Sequence, residues 1–180
     1  MRDVIPGRRG NPKRAFVRAG GTLICLGQSG GLAITAFELP VRDIARENEE
    51  RLFVPGSIVR LNLDPAQPLS FGMEAETSAF FAFSSVYAGA SAAGRNAPYA
   101  DPAGMKTIAH YGEHDVLLSG WLEGESIIAG RAAIVEAPVG SGRVVMFGFP
   151  VQHRGQSHAT FRLLFNALFT APSAPAAKGR

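Results

Sequence analysis

The sequence contains one cysteine, few charged residues and no long apolar run. A single cysteine excludes an internal disulfide bond and a zinc site made from cysteine ligands. A membrane-spanning helix needs about 20 consecutive apolar residues, and no run approaches that length. The basic first segment also lacks the apolar stretch of a secretory signal. We therefore expect no membrane partner and no signal peptide in this chain.

Charged residues make up 18% of the chain and hydrophobic residues 46%, which is ordinary for a globular protein with one core. The net charge is +3, and much of the basic charge lies in the two terminal segments. The interior has no basic stripe interleaved with aromatic side chains, so we expect no nucleic-acid partner. We expect solvated tails at residues 1–14 and 171–180, and one α/β domain at residues 15–170.

A strand, a glycine loop and a helix follow one another near the start of the chain, after a short helix that ends near Gly20. The continuous apolar run Thr22–Leu26 predicts a strand that is buried on both faces, as in a parallel sheet. The loop Gly27–Gly31 follows, and the next helix is expected over Leu32–Phe37. This order of elements is typical of α/β folds.

The remainder of the chain predicts a mixed sheet and a closing helix. Ser57–Leu63 alternates apolar and polar residues, which predicts a half-buried strand. Two apolar segments around Pro138–Gly142 predict a β-hairpin with a glycine turn. We expect parallel strands early and antiparallel pairing late. Further elements are expected at Val41–Arg51 (a helix or an exposed connection), Ala79–Phe83 (a buried strand), Gly89–Gly104 (a long loop), Thr107–Tyr111 and Val116–Leu118 (short strands) and His158–Phe169 (an amphipathic helix).

Cys25 lies inside the first predicted strand, two residues before the loop. A nucleophile in an α/β fold sits on the sharp turn beyond the strand, where backbone N–H groups can stabilise an oxyanion. We therefore expect Cys25 to pack against a face of the sheet as a small hydrophobic residue, and not to act in catalysis.

The loop Gly27–Gly31 matches G-x-S-x-G, the nucleophile motif of α/β-hydrolases, between a strand and a helix as the motif requires. Ser29 would be the nucleophile, and an acid such as Asp115 and a histidine such as His153 follow in the hydrolase order. The structural alternative is that Ser29 caps the next helix and the glycines only form the turn. Binding of an anion at the helix N-terminus is a third use of this loop.

His110, Glu113 and His114 match H-x-x-E-H, the inverted zinc-peptidase pattern. That pattern works only on a helix, where residues four apart share a face. The residues before Gly112 have the pattern of a strand that ends in a turn. We therefore expect a solvated loop here and no metal site.

Gln152, His153 and Arg154 form the densest polar cluster after a predicted strand, a position where α/β folds bind ligands. His153 and Arg154 could hold a carboxylate or a phosphate. The same side chains could instead fix the hairpin to the loop beneath it, and we favour this structural role. Trp121 is expected to be a core or interface anchor.

Five segments stand out as a set: FVRAGGTLI at Phe16–Ile24, LSGWL at Leu118–Leu122, IAGRAA at Ile128–Ala133, GRVVMFGF at Gly142–Phe149 with the following Gln152–Arg154, and HATFRLLFNAL at His158–Leu168. Together they resemble the C-terminal glutamine-amidotransferase-like domain of bacterial proteins that carry a carboxypeptidase A-type zinc peptidase domain upstream. The resemblance covers roughly residues 15–169.

This resemblance implies a flavodoxin-like, class I glutamine-amidotransferase-like fold with a mixed sheet and flanking helices, and a peptidase domain as the partner in relatives. The amidotransferase cysteine would align with Gly27 or Gln28, and neither can act as a nucleophile, so no triad carries over. Zinc would belong to the peptidase domain, so no cofactor is expected in this chain. Relatives of this kind are expected to be exported, to the periplasm or outside the cell.

Relatives continue upstream with the first half of this domain, so we expect a sheet that lacks its first strand–helix units. A sheet edge left exposed in this way would favour a homodimer. Two functions follow as hypotheses. The first is a non-catalytic accessory domain, or a truncated remnant, of a zinc carboxypeptidase-like protein. The second is a small serine hydrolase that uses Ser29.

Overall fold

The computed structural model describes residues 12–90, 102–155 and 158–171 of the chain. Within these ranges no helix is long and apolar enough to cross a membrane. The α-helices span Pro12–Arg18 (α1), Gly30–Phe37 (α2), Ile44–Glu47 (α3), Glu125–Ile128 (α4) and His158–Phe169 (α5). The strands span Thr22–Leu26 (β1), Val41–Asp43 (β2), Ser57–Leu63 (β3), Glu76–Phe81 (β4), Tyr87–Gly89 (β5), Lys106–Tyr111 (β6), Leu117–Ser119 (β7), Ala132–Val139 (β8) and Gly142–Phe147 (β9).

The described strands form one mixed sheet with helices on both faces. Its main path runs β1–β9–β8–β6–β3–β4, while β7 pairs with β3, and β5 joins β2 to β8. β1 and β9 are parallel, with Thr22 opposite Arg143 and Leu26 opposite Phe147. All other pairs between described strands are antiparallel. The expectation of parallel strands early in the chain was wrong, because the one parallel pair joins the first strand to the last.

β1 was expected to be buried on both faces, but it lies at an edge of the sheet and is only partly buried. Cys25 is its only buried residue, and the other four residues are half-buried. An edge strand has a neighbouring strand on one side only, so its side chains are less completely covered than those of a central strand. By contrast, all residues of Val144–Phe147 in the neighbouring β9 are buried.

The core has two parts, one on each face of the sheet. On one face α1 and α2 supply Val17, Ala33 and Phe37, which pack in the same cluster as Cys25 and Met146. On the other face lies a larger cluster, to which α5 contributes Leu163 and Ala167 together with Val145 and Phe147 of β9. Alternate residues of β9 therefore belong to opposite clusters, as the pleat of a strand requires.

Several expected boundaries differ from those in the structure. α1 begins at Pro12, three residues before the expected start of the domain at Ala15, and Val41–Arg51 divides into β2 and α3. β4 begins earlier than expected, at Glu76, and ends at Phe81. The hairpin turn is the pair Gly140–Ser141, because Val139 pairs with Gly142. Most of the expected loop over Gly89–Gly104, the first eleven residues and the last nine lie outside the described residues.

Candidate functional site

Four strands of the main sheet path end at the same edge of the sheet. The pairing directions place β1, β9, β6 and β4 in one orientation, so the loops that follow them share this edge. In open α/β sheets, ligands bind at the carboxyl ends of the strands. The sequence motifs around Ser29, His153 and Asp115 therefore all belong to one side of the molecule.

Gly27 takes the strained position at the turn after β1. Its φ of +54° lies in the left-handed region, and the backbone enters α2 through a short 3-10 turn over Gly27–Ser29. A Cβ atom added here would stand 3.5 Å from the carbonyl oxygen of Phe83. The residue at the sharpest point of the strand-to-helix turn thus carries no side chain and no nucleophile.

Ser29 lies two residues further on, in ordinary helical conformation with φ −66° and ψ −16°. Its hydroxyl oxygen accepts a hydrogen bond from the Leu26 N–H at 2.7 Å and donates one to the Leu26 carbonyl at 2.8 Å. A serine hydroxyl has a single proton, and here that proton goes to the backbone. Ser29 makes no side-chain cap to α2, so its observed bonding also differs from the cap that the structural alternative assigned to it.

Cys25 packs into the core as expected. Its side chain belongs to the cluster beneath α1 and α2 and is 6% exposed. Burial raises the pKa of the Cys25 thiol, and the nearby Ser29 hydroxyl and Lys13 ammonium only partly oppose that shift. A thiol with a raised pKa forms little of the thiolate that nucleophilic chemistry needs.

The cluster after β9 is held by an aromatic stack. The His153 ring lies on the Phe80 ring of β4, with centroids 4.0 Å apart and planes 18° from parallel. Gln152 and Arg154 are exposed, and Arg154 has a left-handed φ of +50°. The stack joins the loop after β9 to β4, not to the loop beneath the hairpin. Whether the cluster has a structural or a ligand-binding role stays a prediction.

The H-x-x-E-H residues do not share a helix. His110 lies in β6 opposite Asn62, whereas Glu113 and His114 are exposed in the bend that follows. Asp115 has a left-handed φ of +47°, and its carbonyl accepts a hydrogen bond from the Arg60 Nε at 3.3 Å. Among the described residues, no group of three or more potential metal ligands comes together.

Trp121 is 59% exposed, so the expectation that it is a core anchor was wrong. Its backbone exchanges hydrogen bonds with the buried Ser57 hydroxyl, which accepts from Trp121 N–H and donates to the Trp121 carbonyl. The indole N–H donates to the Glu123 carboxylate at 3.1 Å. The backbone is therefore anchored while the ring lies at the surface, and its role in an interface stays a prediction.

The sequence did not indicate a cleft of about 750 Å³ beside the Gly27–Gly31 loop. Its walls come from α2, β2, α3 and the segment after β4, and its lining includes Gln28 and Gly31 but neither Ser29 nor His153. Phe83 lies on the cleft, 81% exposed and with a left-handed φ of +49°. Most of the lining falls within residues 28–54 and the rest within residues 81–84. No pattern in the sequence indicates that these two segments meet, so the cleft could not be located from the sequence.

The chain segment after β4 crosses the carboxyl edge of the sheet and carries Phe83. The Ser85 N–H donates to the Gly148 carbonyl at 2.5 Å, and the Val86 N–H donates to the Asp43 carboxylate at 3.2 Å. On the rim of the cleft, Arg42 and Glu47 form an ion pair. Arg42, Asp43 and Glu47 of the rim are thus bonded within the protein.

No protein-family model matches the sequence, and comparison with curated proteins gives no match either. Among solved structures, the chain is similar to a β-galactosidase from Bacillus circulans sp. alkalophilus, with TM-score 0.49, 13% identity and 87% of this chain covered. It is also similar to a β-galactosidase from Rahnella sp. R3, with TM-score 0.43, 14% identity and 91% covered. A protein described as ThuA-like from Bacteroides uniformis gives TM-score 0.37 and 11% identity, with 65% of this chain and 44% of that chain covered. The chain spans about a fifth of the length of the two β-galactosidases.

Proposed function

We propose that this chain is a non-catalytic α/β module that works as an accessory domain of a zinc carboxypeptidase-like protein. In this proposal the mixed sheet is a flavodoxin-like, class I glutamine-amidotransferase-like sheet. Its partner is a peptidase domain, which would hold the zinc and would take the protein out of the cytoplasm. The chain itself would contribute packing, oligomerisation or substrate access to that partner.

The observation that carries this proposal is the turn after β1. The left-handed position, where a nucleophile elbow presents its reactive side chain, holds Gly27. The hydroxyl of the motif serine, Ser29, accepts a hydrogen bond from the Leu26 N–H and donates one to the Leu26 carbonyl. Catalysis by Ser29 would require that hydroxyl to leave Leu26 and reach a general base. These contacts favour the accessory function over the serine hydrolase.

Labelling with a fluorophosphonate probe separates the two functions. We expect the folded chain to show no more labelling than the heat-unfolded chain, and the Ser29→Ala and Ser141→Ala variants to match it. Ser141 is an exposed serine in the hairpin turn and serves as the matched control. Labelling of the wild type that is lost in Ser29→Ala but kept in Ser141→Ala would overturn the proposal in favour of the hydrolase.

The link to a peptidase is tested separately, through the DNA directly upstream of this coding region. An in-frame segment that encodes a zinc carboxypeptidase-like domain would support the accessory function. Purified chain is also expected to retain less than about 0.1 zinc per molecule after dialysis against a weak chelator. Stoichiometric zinc that is lost in a His110→Ala, His114→Ala double variant would overturn the assignment of zinc to the partner.

A further inference from the structure

We propose that the open edge of β1 pairs with β1 of a second copy of this chain, antiparallel and about a twofold axis, so that two sheets join into one. This interface does not depend on the accessory function. It follows from which backbone groups of β1 are already bonded and which are not.

One hydrogen bond establishes the direction in which the backbone N–H and C=O groups of each residue of β1 point. The Gly21 carbonyl accepts from the Arg143 N–H at 3.2 Å and therefore points toward β9. Because the N–H and C=O of one residue point to the same side and successive residues alternate, Leu23 and Cys25 also point toward β9. The backbone N–H and C=O groups of Thr22, Ile24 and Leu26 point away from β9, toward the open edge.

At the C-terminal end of β1, Ser29 occupies the backbone groups of this open edge. Its hydroxyl takes both the N–H and the C=O of Leu26, the last outward-pointing residue. The N–H and C=O groups of Thr22 and Ile24 remain, and neither residue has a backbone partner on this side among the described residues. The open edge thus presents two donors and two acceptors in an alternating row.

One antiparallel register satisfies all four groups in both copies. It places Thr22 opposite Ile24 of the second copy, Ile24 opposite Thr22 of the second copy, and the axis at Leu23. The alternative register, with Ile24 on the axis, would place Thr22 opposite Leu26, whose groups are already bonded to Ser29. The Ser29 hydroxyl therefore favours the register in which Leu23 lies opposite Leu23 of the second copy, in a non-hydrogen-bonded pair.

The side chains favour a second copy as the partner. β1 has no charged residue and no proline, which are the devices that proteins use to prevent edge-to-edge pairing. Phe16 lies against Gly21, next to the start of the strand, and is 53% exposed, so it adds apolar surface beside the edge. A five-residue strand with one flanking aromatic ring covers less than the ~800 Å² per partner of a standard interface. We therefore expect a weak dimer, with a Kd in the micromolar range.

A charge-swap experiment tests the pairing at Leu23. Wild-type chain is expected to dimerise in sedimentation velocity runs between about 5 and 500 µM, a range chosen around a micromolar Kd. Leu23→Lys alone and Leu23→Glu alone each place like charges directly across the axis, so each should bind itself at least tenfold more weakly. An equimolar mixture of the two should recover the dimer. The matched control is Leu32→Lys, which adds the same charge at a leucine that is 74% exposed on α2.

A cysteine cross-link tests the register without adding charge to the strand. In a Cys25→Ala background, Leu23→Cys places two thiols in a non-hydrogen-bonded pair, where Cα atoms about 4.5 Å apart permit a disulfide. Mild oxidation should convert most of the chain to a covalent dimer, whereas Leu32→Cys should not. A wild type that is monomeric throughout, a dimer insensitive to both Leu23 charges, or equal cross-linking at positions 23 and 32 would each overturn the proposal.

Discussion

The two strands at the ends of the main sheet path, β1 and β4, meet solvent in opposite ways. β4, at one edge, begins with Glu76, which pairs with Arg60 of the neighbouring strand, and continues with Thr77 and Ser78. α5 also packs against this strand. β1, at the other end of that path, has no charged residue, and among the described residues its outward backbone groups are bonded at one end only, by Ser29. One edge is protected by charge and by a helix, and the other is left largely open.

This difference explains how the chain can contain the G-x-S-x-G motif while the serine of that motif is bonded to the backbone and not to a catalytic base. The G-x-S-x-G spacing at Gly27–Gly31 describes a tight turn between strand and helix as well as it describes a nucleophile elbow. Because β1 is an edge strand, its last residue has free backbone groups, and the Ser29 hydroxyl is close enough to bond them. In a central strand those groups would pair with a neighbouring strand and leave the serine free.

The largest effect on stability is expected at Gly142, which packs against the connection from α1 to β1. In Gly142→Ala, the added Cβ would collide with the carbonyl oxygens of Val17 and Gly21, at the connection from α1 to β1. We expect the free energy of unfolding to fall by about 3 kcal/mol, measured by urea titration. Ser141→Ala, one residue earlier and exposed, should change it by less than about 0.5 kcal/mol. Equal effects of the two would mean that β1 is not held as described.

A smaller effect is expected at the bonded end of β1. Ser29→Ala removes both hydrogen bonds to Leu26, so the free energy of unfolding should fall by about 1 kcal/mol. Ser29→Thr keeps the hydroxyl and should restore most of that loss. A Ser29→Ala variant as stable as the wild type would remove the special role of this residue at the edge.

The buried thiol of β1 predicts a loss of stability at alkaline pH. Burial raises the pKa of Cys25 above that of an unfolded chain, and it also raises the pKa of the Tyr111 hydroxyl. The folded state holds these protons more tightly, so its stability is full below about pH 8.5 and falls as pH rises. Cys25→Ala should flatten the decline between about pH 8.5 and 10, leaving the tyrosine part above it. An unchanged slope in that window would contradict the burial of the thiol.

The smallest stability effect is expected at the charged edge. Glu76→Gln removes an exposed ion pair with Arg60, which should cost less than about 0.5 kcal/mol. Loss of the Glu76 charge should affect association between chains more than it affects stability, because the charge protects β4 from pairing with other chains. We expect more light scattering from Glu76→Val than from Glu74→Val, the exposed control that lies outside the strand. Equal scattering would show that charge does not protect this edge.

Local patterns in the sequence predicted most of the elements and little of their arrangement. The apolar run at Thr22–Leu26, the alternation at Ser57–Leu63 and the spacing of His158–Phe169 all give the predicted element types. The parallel pairing of β1 with β9 could not be predicted, since it depends on contacts between distant parts of the chain. The exposure of Trp121 and the bonding of Ser29 to Leu26 depend on the same arrangement.

The parallel pair also has a consequence for how the protein is made. Thr22 and Arg143 are roughly 120 residues apart, and β9 is the only strand with which β1 pairs in the described chain. At a synthesis rate of about 5–20 residues per second, β1 leaves the ribosome roughly 6–24 s before its partner does. During that interval β1, which carries no charge, has no strand to pair with. Contacts this distant in sequence also form slowly once the chain is complete. Among the described strands, β1 is therefore the one at which we expect the nascent chain to depend most on chaperones.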